Sequence, residues 1–519
     1  MKRIFMTIAK FFINLERIGI MYYQSTRNSD LQVTSSVAIA QGISADGGLF
    51  IPSEIPKISM EELKALADMN YAERANVVFG KFLTDFTPEE IAYCTSHAYH
   101  VKNFETEQIA ELTGAFDNAY ILELWHGPTC AFKDMALQIL PYLLTTSLKK
   151  NGEDKKVVIL VATSGDTGKA ALEGFKDVPN TEIMVFYPDQ GVSSMQKRQM
   201  ATQEGSNVTV CALEGNFDDC QNGVKKIFTD HAVKEKLANA GKMFSSANSI
   251  NWGRLAPQIV YYVSAYVEMA KRGDIHFGDV INVVVPTGNF GNILAAYYAK
   301  NMGVPIGKLI CASNINKVLT DFIETGIYDR NRDFYATCSP SMDILISSNL
   351  ERLLYLLTDG DDKQIREWFG KLSTEGKYEV SESVKEKLKN DFVGGFCDDA
   401  ETKKTIHDFK EKYDYTCDTH TAVAVKVYQD YIAQTGDKTK TLIASTASPY
   451  KFSASVLEAI ENAESNADEY AQVAHLAEIS GLPVPQSLAD LQNKAVRFSE
   501  VIQKEDMENY VLKKLNIIA

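Results

Sequence analysis

Ile281-Asn282-Val283-Val284-Val285-Pro286-Thr287-Gly288-Asn289-Phe290-Gly291-Asn292-Ile293 passes from one structural period to another across a single turn. Ile281–Val285 is short and mostly β-branched, which fits a strand covered on both faces. The turn is built of small residues, and a helical pattern follows over Ile293–Met302. The same unit recurs along the chain. Tyr120–Leu124 precedes Trp125-His126-Gly127, Val157–Val161 precedes Ala162-Thr163-Ser164-Gly165, and Leu442–Ala444 precedes Ser445-Thr446. Ile183–Tyr187, Val208–Ala212 and Lys308–Ala312 are further strand candidates. Helical patterns cover Met135–Lys149, Lys169–Lys176 and Leu255–Arg272. Strand alternating with helix implies an α/β fold with a mainly parallel sheet.

The flanks read differently. Residues 21–100 hold the compact run Gly42–Pro52 and then helical patterns, and are read as an N-terminal domain. Residues 101–460 are read as the main body. Within it, 359–416 is charged and helix-like, with Gly394-Gly395 as a turn, and is read as an insertion. Residues 461–519 are read as a C-terminal helical segment broken by Leu482-Pro483-Val484-Pro485. Residues 1–20 are apolar with scattered Lys2, Arg3, Lys10 and Arg17; their uncharged runs are short for a signal-peptide core and for a membrane span. Met21 is the expected true start, so N-terminal mass spectrometry of the native protein should not recover residues 1–20.

Composition sets outer bounds. A chain of 519 residues holds about two to four domains. Hydrophobic residues at 45% and charged residues at 23% describe an ordinary globular protein. With 53 basic and 68 acidic residues the net charge is −15, which argues against nucleic acid as the partner. No membrane partner is expected, and monomer and homodimer both stay open. The eight cysteines form no CxxC pair, so a reducing cytoplasm is the natural location and no metal site is suggested. The absence of HExxH and GxSxG leaves zincin and α/β-hydrolase chemistry without support.

Ligands of open α/β sheets sit at the carboxyl ends of strands, so the loops there are read together. Gly288–Asn292 lets the backbone approach a ligand, and the following helix N-terminus offers N–H groups to a phosphate; a tight turn is the alternative. Thr163–Lys169 carries hydroxyls suited to a carboxylate, with a capping turn as the alternative. It is not a P-loop, which needs Gly at Thr163 and Ser or Thr at Ala170. Ser445–Phe452 offers a hydroxyl that could face a ring nitrogen, but taken alone it reads rather as a plain turn. Ser245–Arg254 combines amide, hydroxyl and guanidinium groups, and Arg suits phosphate or carboxylate, with an Arg paired to a structural acid as the alternative that the stretch alone slightly favours. Lys133 lies between a Gly/Pro turn and a helix. Apolar neighbours such as Ala131 and Phe132 can lower its amine pKa and make it able to form a Schiff base, although most such lysines are ordinary snorkelling residues.

Taken in order, nine segments resemble the threonine synthases, pyridoxal-phosphate enzymes of the tryptophan-synthase-β class (fold type II). They are Tyr23–Arg27, Asp46–Phe50, His126–Gln138, Thr163–Gly168, Asn216–Gln221, Asn248–Arg254, Gly288–Asn292, Ser347–Arg352 and Ser445–Phe452. An N-terminal threonine synthase domain points to the long bacterial and fungal branch. The resemblance implies that Lys133 carries pyridoxal 5'-phosphate and acts as general acid and base. It implies that Gly288, Asn289, Phe290, Gly291 and Asn292 cradle the phosphate and that Thr446 faces the pyridine nitrogen. Asp166 would lie against the ring, while Ser164, Thr167, Asn248, Ser249 and Arg254 would hold the substrate. The implied reaction converts O-phospho-L-homoserine and water to L-threonine and phosphate, the last step of threonine biosynthesis. Ser448 stands where family members often have His, and Cys130 where an apolar residue is common. A lyase releasing 2-oxobutyrate from the same substrate, and a cofactor-binding protein without turnover, are the rival readings.

Overall fold

The computed structural model describes residues 19–163, 165–190, 192, 194–463 and 468–518. Residues 1–18, most of the stretch read as an upstream extension, lie outside it.

β1 (Tyr23–Ser25), β2 (Asn28–Val33) and β3 (Phe50–Pro52) form a small antiparallel sheet centred on β1. Gly48 closes the loop before β3: a Cβ there would stand 2.2 Å from Ser25 Oγ and 2.9 Å from the Arg27 nitrogen. Helices Tyr71–Phe82 and Pro88–Ala98 follow, each begun by a capping box, Asn70 with Glu73 and Thr87 with Glu90.

The main body is two sheets. β4 (Glu111–Phe116) and β5 (Ala119–Glu123) form a hairpin, followed by α1 (Asp134–Leu137) and α2 (Leu140–Lys150). The chain then builds the second sheet from β6 (Lys156–Ala162), α3 (Asp166–Phe175), β7 (Thr181–Pro188), β8 (Val208–Glu214) and β9 (Lys242–Ser245). α4 (Trp252–Arg272) returns it to the first sheet, where β10 (Ile281–Pro286), α5 (Gly291–Met302) and β11 (Ile306–Ser313) follow. β12 (Ile327–Asp329) and β13 (Lys377–Glu379) make a separate ribbon flanking α6 (Leu350–Leu357). β14 (Phe392–Phe396), α7 (Thr419–Thr435) and β15 (Thr441–Ser445) complete the first sheet, and β16 (Val501–Gln503) joins the second.

The strand orders are β14-β11-β10-β15-β5-β4 and β16-β8-β7-β6-β9. All pairings are parallel except β4 with β5. Every residue of β5, β10 and β15 is buried, as expected for strands with helices on both faces.

Three local expectations change. Met135–Lys149 is not one helix: α1 ends at Leu137 and α2 begins at Leu140. Pro141 cannot donate to the Leu137 carbonyl and its ring would clash there. That carbonyl instead lies under Gly174 of α3, where a Cβ would come within 2.0 Å of it. Gly394-Gly395 is not a turn but the middle of β14, paired in parallel with β11. A Cβ would meet Thr320 Cα at 3.0 Å from Gly394 and Val427 Cγ1 at 2.5 Å from Gly395, so the glycines admit close helices. The stretch 359–416 therefore contributes a strand to the first sheet. The C-terminal segment also holds a strand, β16, beside β8.

Trp252 ties the small sheet to the main body. It is fully buried, and its ring lies 5.4 Å from Tyr23 of β1, 5.6 Å from Phe82 and 5.4 Å from Tyr298 of α5. Trp252→Ala is expected to cost about 3–5 kcal/mol. The check is a shift of the urea midpoint; an unchanged midpoint would show that the ring does not bind these layers together.

Candidate active site

Parallel pairing brings the loops together. β5, β15 and β10 are neighbours, so the segments after Glu123, Ser445 and Pro286 leave the sheet at one end. The first two are stitched directly. Leu124 N donates to Ser445 O at 3.0 Å, Phe132 N to Thr446 O at 2.8 Å, and Ser448 N to Cys130 O at 3.0 Å. Trp125 Nε1 donates to Ser445 Oγ at 3.0 Å. Thr446 is thereby fixed beside the turn that carries Lys133, and is itself buried.

Lys133 is half-buried at the N-cap position of α1. The turn before it is tight. Cys130 has φ 57°, in the left-handed region, and Gly127 packs so close that a Cβ would lie 2.5 Å from Asp134 Cβ. Burial pushes the Lys133 amine down; Lys451 and Arg254 push the same way, while Asp166 and Asp134 oppose them.

Asp166 opens α3, and its partner is Lys451, which sequence reading did not assign. Lys451 Nζ lies 2.7 Å from Asp166 Oδ1, with the two side chains 2% and 6% exposed. The same amine donates to Thr129 O at 2.8 Å, inside the Lys133 turn. Burial alone would raise the Asp166 carboxyl, but Lys451, Lys133 and a hydrogen bond from Gln196 hold it below the usual carboxylate range. The signal was in the sequence: Lys451 is a cation inside the quoted run Ser445–Phe452.

At the third loop Phe290 adopts φ 63° and caps α5 without a side-chain bond. The first N–H groups of a helix have no partner within it, and they carry partial positive charge. Gly288 is a close approach: a Cβ would stand 2.5 Å from Ser341 O. Asn292 is buried; Tyr262 donates to its Oδ1, while its Nδ2 has no hydrogen-bond partner among the described residues. Arg254 Nε and Ser448 Oγ are also buried without a partner. Arg254 Nη1 donates to Ala247 O at 2.6 Å, and burial pushes the guanidinium down to about 10. An amine, an uncapped helix N-terminus and three polar atoms without partners among the described residues fit a phosphorylated aromatic aldehyde.

The other expected residues are less engaged. Thr167 is half-buried in the first turn of α3, and Ser164 lies outside the described residues. Asn248 is exposed, and Ser249 Oγ lies 3.4 Å from Ser348 Oγ. Among the described residues no group of His, Cys, Asp and Glu is placed to hold a metal ion.

Asp134, directly after Lys133, accepts Thr129 N at 2.8 Å and Thr129 Oγ1 at 2.7 Å. Burial nevertheless pushes its carboxyl up to about 7. The folded chain thus binds this proton more tightly than the unfolded chain. Its contribution to stability is full below about pH 4 and is lost as the pH rises through about 7. Asp134→Asn keeps both contacts, accepting the Thr129 N–H and donating to its hydroxyl. Urea midpoints across that interval should fall less steeply in this variant than in the parent. Parallel curves would show that Asp134 does not titrate there.

Comparison with known proteins gives three consecutive family matches. "Threonine synthase N terminus" matches residues 22–99, "Pyridoxal-phosphate dependent enzyme" residues 103–383, and "Threonine synthase, C-terminal" residues 421–511. Threonine synthase-like 1 of Homo sapiens is 42% identical over 459 residues, 86% of this chain and 61% of that protein. The chain thus spans less than two thirds of that relative's length. Threonine synthase of Saccharomyces cerevisiae is 36% identical, covering 95% of this chain and 98% of the yeast protein. The crystal structure of threonine synthase from Brucella melitensis with bound pyridoxal phosphate superposes with a TM-score of 0.84 at 35% identity, covering 95% of this chain and 98% of that one. The chain belongs to the threonine synthase family of pyridoxal-phosphate-dependent enzymes.

Proposed function

We propose that this protein is a threonine synthase, converting O-phospho-L-homoserine and water to L-threonine and phosphate. The observation that carries the reading is Lys133, a half-buried amine under the influence of the Asp166–Lys451 pair, on the same end of the sheet as a loop whose helix N-terminus is uncapped. Lys133 would hold pyridoxal phosphate through its amine, and the N–H groups of Gly288–Asn292, with the free Asn292 Nδ2, would take the phosphate. Thr446 would face the pyridine nitrogen. When bound, the cofactor supplies the electron sink for negative charge on the substrate carbons.

The chain's own residues then handle protons and anions. Lys133 Nζ takes the proton from Cα and next one from Cβ, and phosphate leaves Cγ. A proton returns to Cγ, water adds at Cβ, and a proton returns to Cα. A lowered amine pKa suits this exchange, because an acid–base group works best when its pKa lies near the working pH. Arg254, buried with an unpaired Nε, would receive an anionic group of the substrate, together with Ser249, Asn248, Thr167 and Ser164. Lys451 keeps Asp166 charged, so one carboxylate balances two amines before substrate enters. A reducing cytoplasm suits the protein: all eight cysteines are free, seven of them buried. Among the described residues no helix is long and apolar enough to cross a membrane.

Two measurements test this. Lys133→Ala should fold and yet lose roughly 10²–10⁴ in turnover, the usual scale for a lost acid–base group. A variant keeping more than about a tenth of the parent rate would refute the role. The cofactor-loaded protein given O-phospho-L-homoserine should release phosphate matched by threonine. Phosphate matched by 2-oxobutyrate would make it a lyase instead, and no phosphate would overturn the substrate.

A further inference from the structure

Ser347–Arg352 enters none of the chemistry above, yet it touches both ligand loops. Ser347 Oγ donates to Gly288 O at 2.8 Å. Asn349 donates to Asn289 O from its backbone N and from Nδ2, each at 3.1 Å, and Nδ2 also lies 3.3 Å from Ser249 O. Arg352 completes the arrangement. Its Nη1 donates to Asn349 Oδ1 at 2.6 Å, Nη2 to Ile250 O at 2.6 Å, and Nε to Phe50 O of β3 at 2.8 Å. Both Asn349 and Arg352 are fully buried. Next to them Glu351 accepts Thr26 Oγ1 at 2.6 Å and the Arg27 guanidinium at 2.9 and 2.8 Å.

Peptide geometry gives these contacts a direction. In a trans peptide the carbonyl and the following N–H point to opposite sides of the chain. Holding Gly288 O and Asn289 O toward Ser347 and Asn349 therefore turns the N–H groups of Asn289 and Phe290 the other way. Arg352, held by β3, sets the distance between that loop and the loop carrying Ser249 and Ile250.

We infer that Asn349 and Arg352 are positioning residues through which the N-terminal sheet aims the donors of Gly288–Asn292 and spaces them from the loop Asn248–Asn251. The inference rests on the reading of Gly288–Asn292 as the phosphate cradle.

Two variants test it. Asn349→Asp keeps the volume but sets a carboxylate against two carbonyls. Arg352→Lys keeps the charge but offers a compact ammonium where a planar fork reaches three acceptors. The dissociation constant for pyridoxal phosphate is measured by titration, and amide hydrogen exchange is followed by mass spectrometry in the protein free of cofactor and substrate. Each variant should weaken cofactor binding by about tenfold or more, the size of one lost buried hydrogen bond. Exchange should quicken over residues 246–251 and 286–294 and stay unchanged in β6, β7 and β8. Binding within about twofold of the parent, or exchange that rises evenly along the chain, would overturn the inference. Exchange is read without cofactor, so it tests the positioning even where the proposed activity fails.

Discussion

The cost of enclosing charge governs this molecule. Lys133 and Lys451 act on one carboxylate, Asp166, held below its usual range, and Arg254 lies buried near enough to Lys133 to oppose its charge. Buried ions persist only where partners and hydrogen bonds replace their hydration. The surrounding architecture supplies those partners from separate places. Lys451 comes from the loop after β15, Asp166 from the start of α3 in the other sheet, and the Thr129 carbonyl from the turn after β5. Parallel strands with their carboxyl ends together are what bring these loops to one point. Arg254 keeps a buried nitrogen without a partner among the described residues.

Much of this was readable before folding was known, because it depends on local pattern. The apolar runs at Ile281–Val285 and Val157–Val161 could hardly be anything but covered strands. Their small-residue turns marked the ligand end. The reading failed where a distant neighbour overrode the local signal. Gly394-Gly395 looks like a turn by composition, and only the packing of Thr320 and Val427 against it makes it a strand. The break between α1 and α2 was written in Pro141, but the carbonyl it spares is covered by Gly174, far along the chain. Lys451 was visible as a residue and invisible as a partner, since nothing local links it to Asp166.

The N-terminal sheet illustrates a different economy. None of its side chains is needed to explain the chemistry, yet it contacts the main body at defined points: Trp252 through an aromatic cluster, and Glu351 and Arg352 through Thr26, Arg27 and the Phe50 carbonyl.

β16 pairs with β8 across a sequence separation of 289 residues, and it comes near the end of the chain. During synthesis the open edge of β8, a largely apolar and buried strand, is made long before β16 exists to pair with it. Unpaired strand edges recruit other chains, and late closure prolongs that exposure. The segment that carries β16 covers this edge of the second sheet, and chains lacking it are expected to associate through β8.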